Sequence, residues 1–389
     1  MNGKRYGWRA HSGVDESEKT PTKQAIWLSV LAMGALGWAG PAAWAAPSFF
    51  GMGYLGDGSG YSRARGVSAD GLVVVGTSAR HAVRWTEESG IESLGCGDDR
   101  NYGAFAASDD GSVIVGSALF GSHNPEAFRW TAEEGVTWLG TLAPPTLGHV
   151  GSVARGVSAN GSVIVGNCVG PPHGDQHAFR WTASQGMMDM GFGHAYAVSA
   201  NGGITVGGTG GDESTKAFRC IGTHREDIGW LAVGGSDDAF GVSRDGTKIV
   251  GRSAGNMFLW TEEGGMEDLG YGAGLAVLDD ASMIVGYRHA TPTTLDDPGD
   301  RAIVWDREHG IRLLRNVLIH EHGLDEVRGW ELYSADAMSA DGRVIVGWGL
   351  NPNGNYEGWI ATIPEPSALA LLTFGGLAVI QRKRLRSLQ

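Results

Sequence analysis

The chain has 389 residues, of which 64 are Gly, and 42% are hydrophobic. That is enough apolar material for a core, which excludes wholesale disorder, while only 19% charged residues argues against a long helical or coiled-coil protein. The net charge is −13 and both ends are basic, so the span between them is more acidic still. Such a surface repels nucleic acid, anionic lipid and acidic polysaccharide unless a divalent cation bridges the two.

Residues 1–46 read as a secretory signal. Lys4, Arg5, Arg9, Lys19 and Lys23 precede an apolar run from Ala25 to Ala39. Ala43-Trp44-Ala45 fits the small-x-small cleavage rule, which places the cut after Ala45 or Ala46. The long basic region also leaves room for a start downstream of Met1.

Residues 47–363 repeat one unit. It begins at Gly66-Val67-Ser68-Ala69-Asp70-Gly71, followed by Leu72–Gly76, then His81–Thr86 with Trp85, then Ile91–Gly95. The turn glycines are Gly71, Gly111, Gly161, Gly202, Gly246 and Gly342, with Ala281 in the sixth place. The six steps from 71 to 342 average about 45 residues, the period of a four-stranded propeller blade. Asx-Gly between two apolar runs predicts a type I′ hairpin turn, and Asp280-Ala281 predicts a different one. The second strand is apolar at successive positions, as in Val73–Val75 and Val163–Val165, which predicts cover on both faces. The third strand alternates, so Trp85, Trp130, Trp181, Trp260 and Trp305 are predicted to pack between blades.

The seventh unit reaches a third strand near Gly358–Ile360 and has no fourth. Met52-Gly53-Tyr54-Leu55-Gly56 supplies it from the other end. The prediction is an all-β propeller of seven four-stranded blades, closed by an N-terminal strand, with helices only in the terminal signals. An open solenoid, the alternative, would leave 50–56 far from 355–362.

Residues 364–389 form a second signal. Pro364-Glu365-Pro366 precedes the apolar run Ala368–Ile380 and the basic cluster Arg382, Lys383, Arg384 and Arg386. Thirteen apolar residues make a marginal membrane span, with the basic cluster held on the cytoplasmic side. The arrangement resembles the PEP-CTERM sorting signal of exopolysaccharide-producing bacteria. That resemblance implies recognition at Pro364-Glu365-Pro366 by an exosortase-type membrane enzyme.

Gln176–Thr182, Glu126–Thr131 and Lys216–Arg219 resemble the motif that names the HAF family of extracellular repeat proteins. The resemblance covers essentially all of 50–363. It implies an exported, repeat-built surface protein and carries over no catalytic or binding residue.

Candidate chemistry is sparse. Cys96, Cys168 and Cys220 allow at most one internal disulfide and no thiolate zinc spacing. Cys220 stands where other repeats place Trp, which points to an apolar role. His177 aligns with His81, Glu126, Lys216 and Arg301, so it reads as a solvated position at the start of a strand, and His173 as no metal partner to it. His320-Glu321-His322 lies in the long sixth-to-seventh connection, where function collects. Asp98-Asp99, Asp237-Asp238, Asp296-Asp297 and Asp300 suit Ca²⁺, but no EF-hand or nonapeptide pattern surrounds them, so no cofactor is expected. Ser68, Ser158, Ser199, Ser243 and Ser339 recur at one repeat position and read as structural. No singular catalytic set stands out. The reading is therefore a non-enzymatic binding or structural protein of the cell envelope or exopolysaccharide matrix, with polysaccharide or an envelope protein as partner. An extracellular propeller hydrolase or lyase for carbohydrate is the alternative. A cluster of carboxylates in the central channel separates the two.

Overall fold

The sequence pattern of each repeat becomes a meander of four antiparallel strands in the computed structural model, which describes residues 46–56, 60–95, 103–119, 124–142, 151–169, 175–210, 215–232, 235–289 and 299–364. Blade one is Ser62–Val67, Val74–Ser78, His81–Thr86 and Gly90–Ser93. Blades two to six follow as 103–138, 152–192, 194–227, 237–271 and 273–313. Blade seven joins Glu331–Met338, Val344–Leu350 and Tyr356–Thr362 to the first strand of the chain, Ser48–Gly51. The propeller has seven blades, as the period predicts.

The second strands are buried along their length because a neighbouring blade covers each face; Val74–Ser78 is buried at every position. Core clusters accordingly span blades. Ala104, Ile114 and Phe128 of blade two pack on Val75, Ala82 and Leu94 of blade one. Phe128, Phe179, Phe218, Phe258 and Trp359 take the same third-strand position and are fully buried. Each contributes on the order of 2–3 kcal/mol of transfer free energy. Trp260 and Trp305 are buried, while Trp85, Trp130 and Trp181 pack against the inter-blade clusters with one edge in solvent. Cys220 is a free, buried thiol, and burial pushes its pKa up to about 11.

The Asx-Gly turns differ from the expected type. Type I′ needs positive φ at both central residues. Here only the glycine has it, with Gly71 at 78°, and no Asx of these turns does. Gly71 N–H donates to the Ser68 carbonyl at 3.0 Å. Asp70 Oδ1 accepts from Leu72 N–H at 3.0 Å, and the Ser68 hydroxyl accepts from Val73 N–H at 2.9 Å. The repeated serines are thus buried turn braces. Ala281 uses this same turn, at φ 53°, with its N–H on Leu278, so the sixth hairpin is not an exception in geometry. Type I′ geometry appears elsewhere, at Ala79-Arg80 and Ala254-Gly255, between second and third strands.

The ring closes as expected, but with a shifted strand. Ser48–Gly51 pairs with Tyr356–Thr362, not Met52–Gly56. Met52 takes the place that Leu94 has in blade one: its N–H donates to Gly358, as that of Leu94 does to Ala82. Gly53 and Gly56 both have positive φ, so either Gly matched the strand-ending position in sequence. Gly53 N–H, Tyr54 Oη and Asn351 Nδ2 then all bond to the buried Glu357 carboxylate, at 3.0, 3.3 and 2.7 Å. Outside the strands, Leu314–His320 is an α-helix and Asp325–Val327 a 3₁₀ turn, contrary to the expectation of helices only at the termini. Leu314, Val317, Leu318 and Ile319 bury one helical face in the core shared by blades six and seven.

Candidate functional site

The first strand of every blade packs against the first strands of both neighbours, and that of blade seven against that of blade one. These strands therefore wall the central channel. Each carries a β-bulge at the same place, flanked by two small residues: Ala64/Gly66, Ala104/Ala106, Ala154/Gly156, Ala195/Ala197, Ala239/Gly241, Gly274/Ala276 and Ala335/Ala337. A bulge leaves one residue outside the ladder and re-aims its side chain. The bulged residues are Arg65, Phe105, Arg155, Tyr196, Phe240, Leu275 and Asp336, and all of them line one cavity of about 300 Å³. The bulge repeats; the side chain on it does not. A second cavity of about 460 Å³ shares Arg65 and Phe105 and adds Arg63, Tyr61 and Tyr356. Both volumes lie in the range of small-ligand sites.

The wall is aromatic and charged. The Arg63 guanidinium lies 3.9 Å over Trp348, Arg65 5.4 Å from Phe105 and Arg155 5.5 Å from Tyr196. Tyr196 meets Phe240 edge-on at 5.2 Å and stacks on His194 at 5.9 Å. Burial pushes the Asp336 carboxyl up, against the pull of Arg65, the Ser334 hydroxyl and Arg63. Burial also raises Asp238, opposed by Arg252, and lifts Tyr196 to about 12. Burial, and then the Arg155 charge, depress His194. The channel therefore holds carboxylates from more than one blade, among unlike neighbours.

The opposite end is rimmed by backbone hydrogen bonds and bridged by one ion pair. Backbone bonds of 2.9–3.0 Å run from Ala340 to Ala69, on to Asp109, Ala159, Ala200 and Arg244. Arg244 Nη1 and Nη2 grip the Asp109 carboxylate at 2.6 and 2.5 Å, joining blades five and two. The cavity there, about 220 Å³, is lined mainly by Ala, Val and Leu. Antiparallel pairing puts the Asx-Gly turns at this end. The second and fourth strands end, and the first and third begin, at the mouth.

Of the residues singled out in the sequence, Asp300 lines the cavity of about 300 Å³ and Asp238 stands on the first strand of blade five; the others fall elsewhere. Ala45, Glu365, Pro366, Arg382, Lys383, Arg384 and Arg386 lie outside the described residues, as do Cys96, Asp98, Asp99, His173, Asp296 and Asp297. Ala46 is exposed, and Pro364 directly follows Ile363, whose N–H bonds to Arg343. Among the described residues, no helix is long and apolar enough to cross a membrane, and no group of His, Cys, Asp and Glu could hold a metal. Asp237 and Asp238 point to opposite faces of their strand. Glu321 is engaged by Arg312 at 2.5 Å. His177, expected in solvent, is buried instead: its Nδ1 is 2.9 Å from Asp189 and its ring lies 4.7 Å from that of Phe192. Its aligned counterparts lack this cover because Phe192 belongs to blade three alone.

The channel residues were missed in the sequence because the repeat was framed from Gly66 onward. The signal was one residue earlier: a variable residue between two small ones, once per blade.

No family model matches the chain, and no curated protein matches it. Among solved structures, a puromycin hydrolase S511A mutant complexed with PGG is similar over 79% of this chain and 54% of its own, at 13% identity and a TM-score of 0.51. The β-propeller domain of the Trilobed protease from Pyrococcus furiosus is similar over 77% and 95%, at 10% identity and 0.48. A TolB-like protein from Agrobacterium tumefaciens covers 78% and 91%, at 13% and 0.41. Likeness at these identities concerns the fold alone.

Proposed function

We propose that the chain is an exported, surface-sorted, non-enzymatic propeller that binds a ligand in its channel mouth, within the cell envelope or exopolysaccharide matrix. The observation that carries binding is the ring of bulges: one structural device, repeated in every blade, presents a different side chain each time. A spacer has no use for a non-repeated aromatic and charged wall at one end of the ring. Export and sorting rest on the terminal signals: cleavage after Ala45 or Ala46, then recognition at Pro364-Glu365-Pro366 by an exosortase-type enzyme. Polysaccharide or an envelope protein is the partner class.

The test is Trp348→Ala in the protein recovered from the producing cell, titrated with matrix polysaccharide. Loss of at least tenfold in affinity is expected. Binding that ignores this change overturns the channel reading. Mass spectrometry of the same material, after cell fractionation, tests sorting: a mature C-terminus at 364–366 in the envelope or medium is expected, and an intact basic tail in the inner membrane overturns it.

One observation favours the alternative of a carbohydrate hydrolase or lyase. Asp336 and Asp238, from different blades, both have carboxyls pushed up by burial, the condition of a general acid. Release of reducing ends or unsaturated products from matrix polysaccharide, lost in Asp336→Asn, would establish it.

A further inference from the structure

We infer that the channel mouth recognises an acidic sugar residue, one pyranose ring bearing one carboxylate. This rests on the channel being the binding site. Around the mouth three guanidiniums stand on one arc, Asp336 faces Arg65 and Arg63 from the adjacent blade seven, and Asp238 is paired with Arg252 on blade five. Arg63, Arg65 and Arg155 stand on blades one and three, either side of Phe105 on blade two. Asp336 and Asp300 stand on blades seven and six. Asp300 is already 2.5 Å from His289 Nδ1, and Asp336 accepts from the Ser334 hydroxyl.

With Arg252 and Asp238 of blade five included, four guanidiniums stand against three carboxylates, and the excess charge is positive. It sits on the arc of blades one to three. Arg63 Nε and Arg65 Nε are buried without a hydrogen-bond partner. Arg155 spends its own Nε on Asn167 at 2.7 Å and lines the cavity. Arg65 and Arg155 repel one another, and an anion held between them removes that repulsion. Guanidinium geometry suits a carboxylate, held by two parallel bonds.

The rest of the cavity specifies a sugar. Aromatic faces at Phe105, Tyr196 and Phe240 accept the apolar face of a pyranose ring. Asp336 and Asp300 are placed to accept protons from the sugar hydroxyls. The overall charge of −13 does not decide the matter. Surface charges are screened beyond about 8 Å in physiological salt, whereas half-buried guanidiniums act on a ligand at contact distance.

The experiment is calorimetric titration of the full protein, as recovered from the cell, with tri-galacturonate, with the neutral trisaccharide of galactose, and with AMP. Tri-galacturonate is expected to bind at least tenfold tighter than either. Arg155→Gln and Arg65→Gln, each with an unchanged circular dichroism spectrum, are expected to erase that preference separately. Arg244→Gln, at the opposite end, is expected to leave it. Equal affinity for both trisaccharides, lost together in Trp348→Ala, overturns the acidic-sugar inference and keeps channel binding. Tighter binding of AMP overturns the sugar class. Binding of none of the three overturns the inference, and channel binding stands or falls separately on the matrix-polysaccharide titration of Trp348→Ala.

Discussion

Arg65 and Asp336 occupy the same bulge of adjacent blades, and the guanidinium is the strongest charge opposing the upward push that burial gives the Asp336 carboxyl. Burial wins, so the folded-state pKa lies above the ordinary 3.8. The folded protein then holds this proton more tightly than the unfolded chain, and the ionised form costs stability above the folded pKa. That cost is relieved as pH falls from the raised value toward 3.8. The parent should therefore gain stability relative to Asp336→Asn as pH is lowered through this window. Urea unfolding of both proteins across that window checks the sign, and parallel curves would contradict it.

Asp110 behaves in the opposite sense. The Ser112 N–H, then the Ser112 and Ser108 hydroxyls, hold its carboxyl below the ordinary range. Its stabilisation is present above 3.8 and is lost as pH falls through the folded value. Asn160 and Asn201 hold the equivalent turns without a charge. Asp110→Asn is thus expected to stay within about 1 kcal/mol of the parent at neutral pH. The two stabilities should converge on acidification, which chemical unfolding at a series of acidic pH values measures.

Phe49 ties the first strand into the last blade. It is 6% exposed, edge-on to Trp330 at 5.3 Å and stacked on Trp359 at 6.1 Å. Phe49→Ala should cost roughly 3–5 kcal/mol, read as a lower urea midpoint by circular dichroism. A shift within error would mean the strand is not needed for closure.

Ala281 holds a left-handed conformation that costs an L-residue roughly 1–2 kcal/mol, and every aligned turn uses Gly there. Ala281→Gly should raise stability by about 1 kcal/mol, even after the added chain entropy of Gly. The reverse change, Gly71→Ala, should destabilise, since its Cβ would also meet Val344 at 2.6 Å. Differential scanning calorimetry reads both.

The Arg244–Asp109 pair is a partly exposed bidentate bridge, with side chains 37% and 35% accessible. Arg244→Ala should cost no more than about 1 kcal/mol. It should leave ligand affinity within twofold, because the pair stands at the end away from the mouth. A large affinity loss would mean ligand reaches through the channel.

The fold was legible wherever the repeat kept residue type. Spacing and buried second strands survive in every blade, and Asx-Gly pairs in all but the sixth, because each performs the same packing task. Three details were not legible. The turn type depends on backbone angles that Asx-Gly permits in more than one combination. The closing strand was misplaced because Met52-Gly53 and Leu55-Gly56 carry the same signature. The helix Leu314–His320 gains its stability from the inter-blade core and not from its own short sequence. The channel wall was hidden for the opposite reason: Arg65, Phe105, Tyr196 and Asp336 share a position but no chemistry. Comparing repeats for what they have in common averages such residues away.

Closing blade seven with the strand that begins the ring also sets an order of events. Tyr54 and Glu357, bonded at 3.3 Å, are 303 residues apart. Joining the ends of so long a loop costs about 5 kcal/mol of chain entropy in the logarithmic term alone. Six blades are built from neighbours in sequence and can assemble as the chain emerges from its N-terminus. Ser48–Gly51, the earliest strand, must wait for Tyr356–Thr362, the latest. Until then Phe49 has no Trp359 to cover it, and the facing sides of blades one and six stay wet. A chain cut before Tyr356–Thr362 cannot dock its own beginning, so the last step of folding works as a check that the seventh blade has been made.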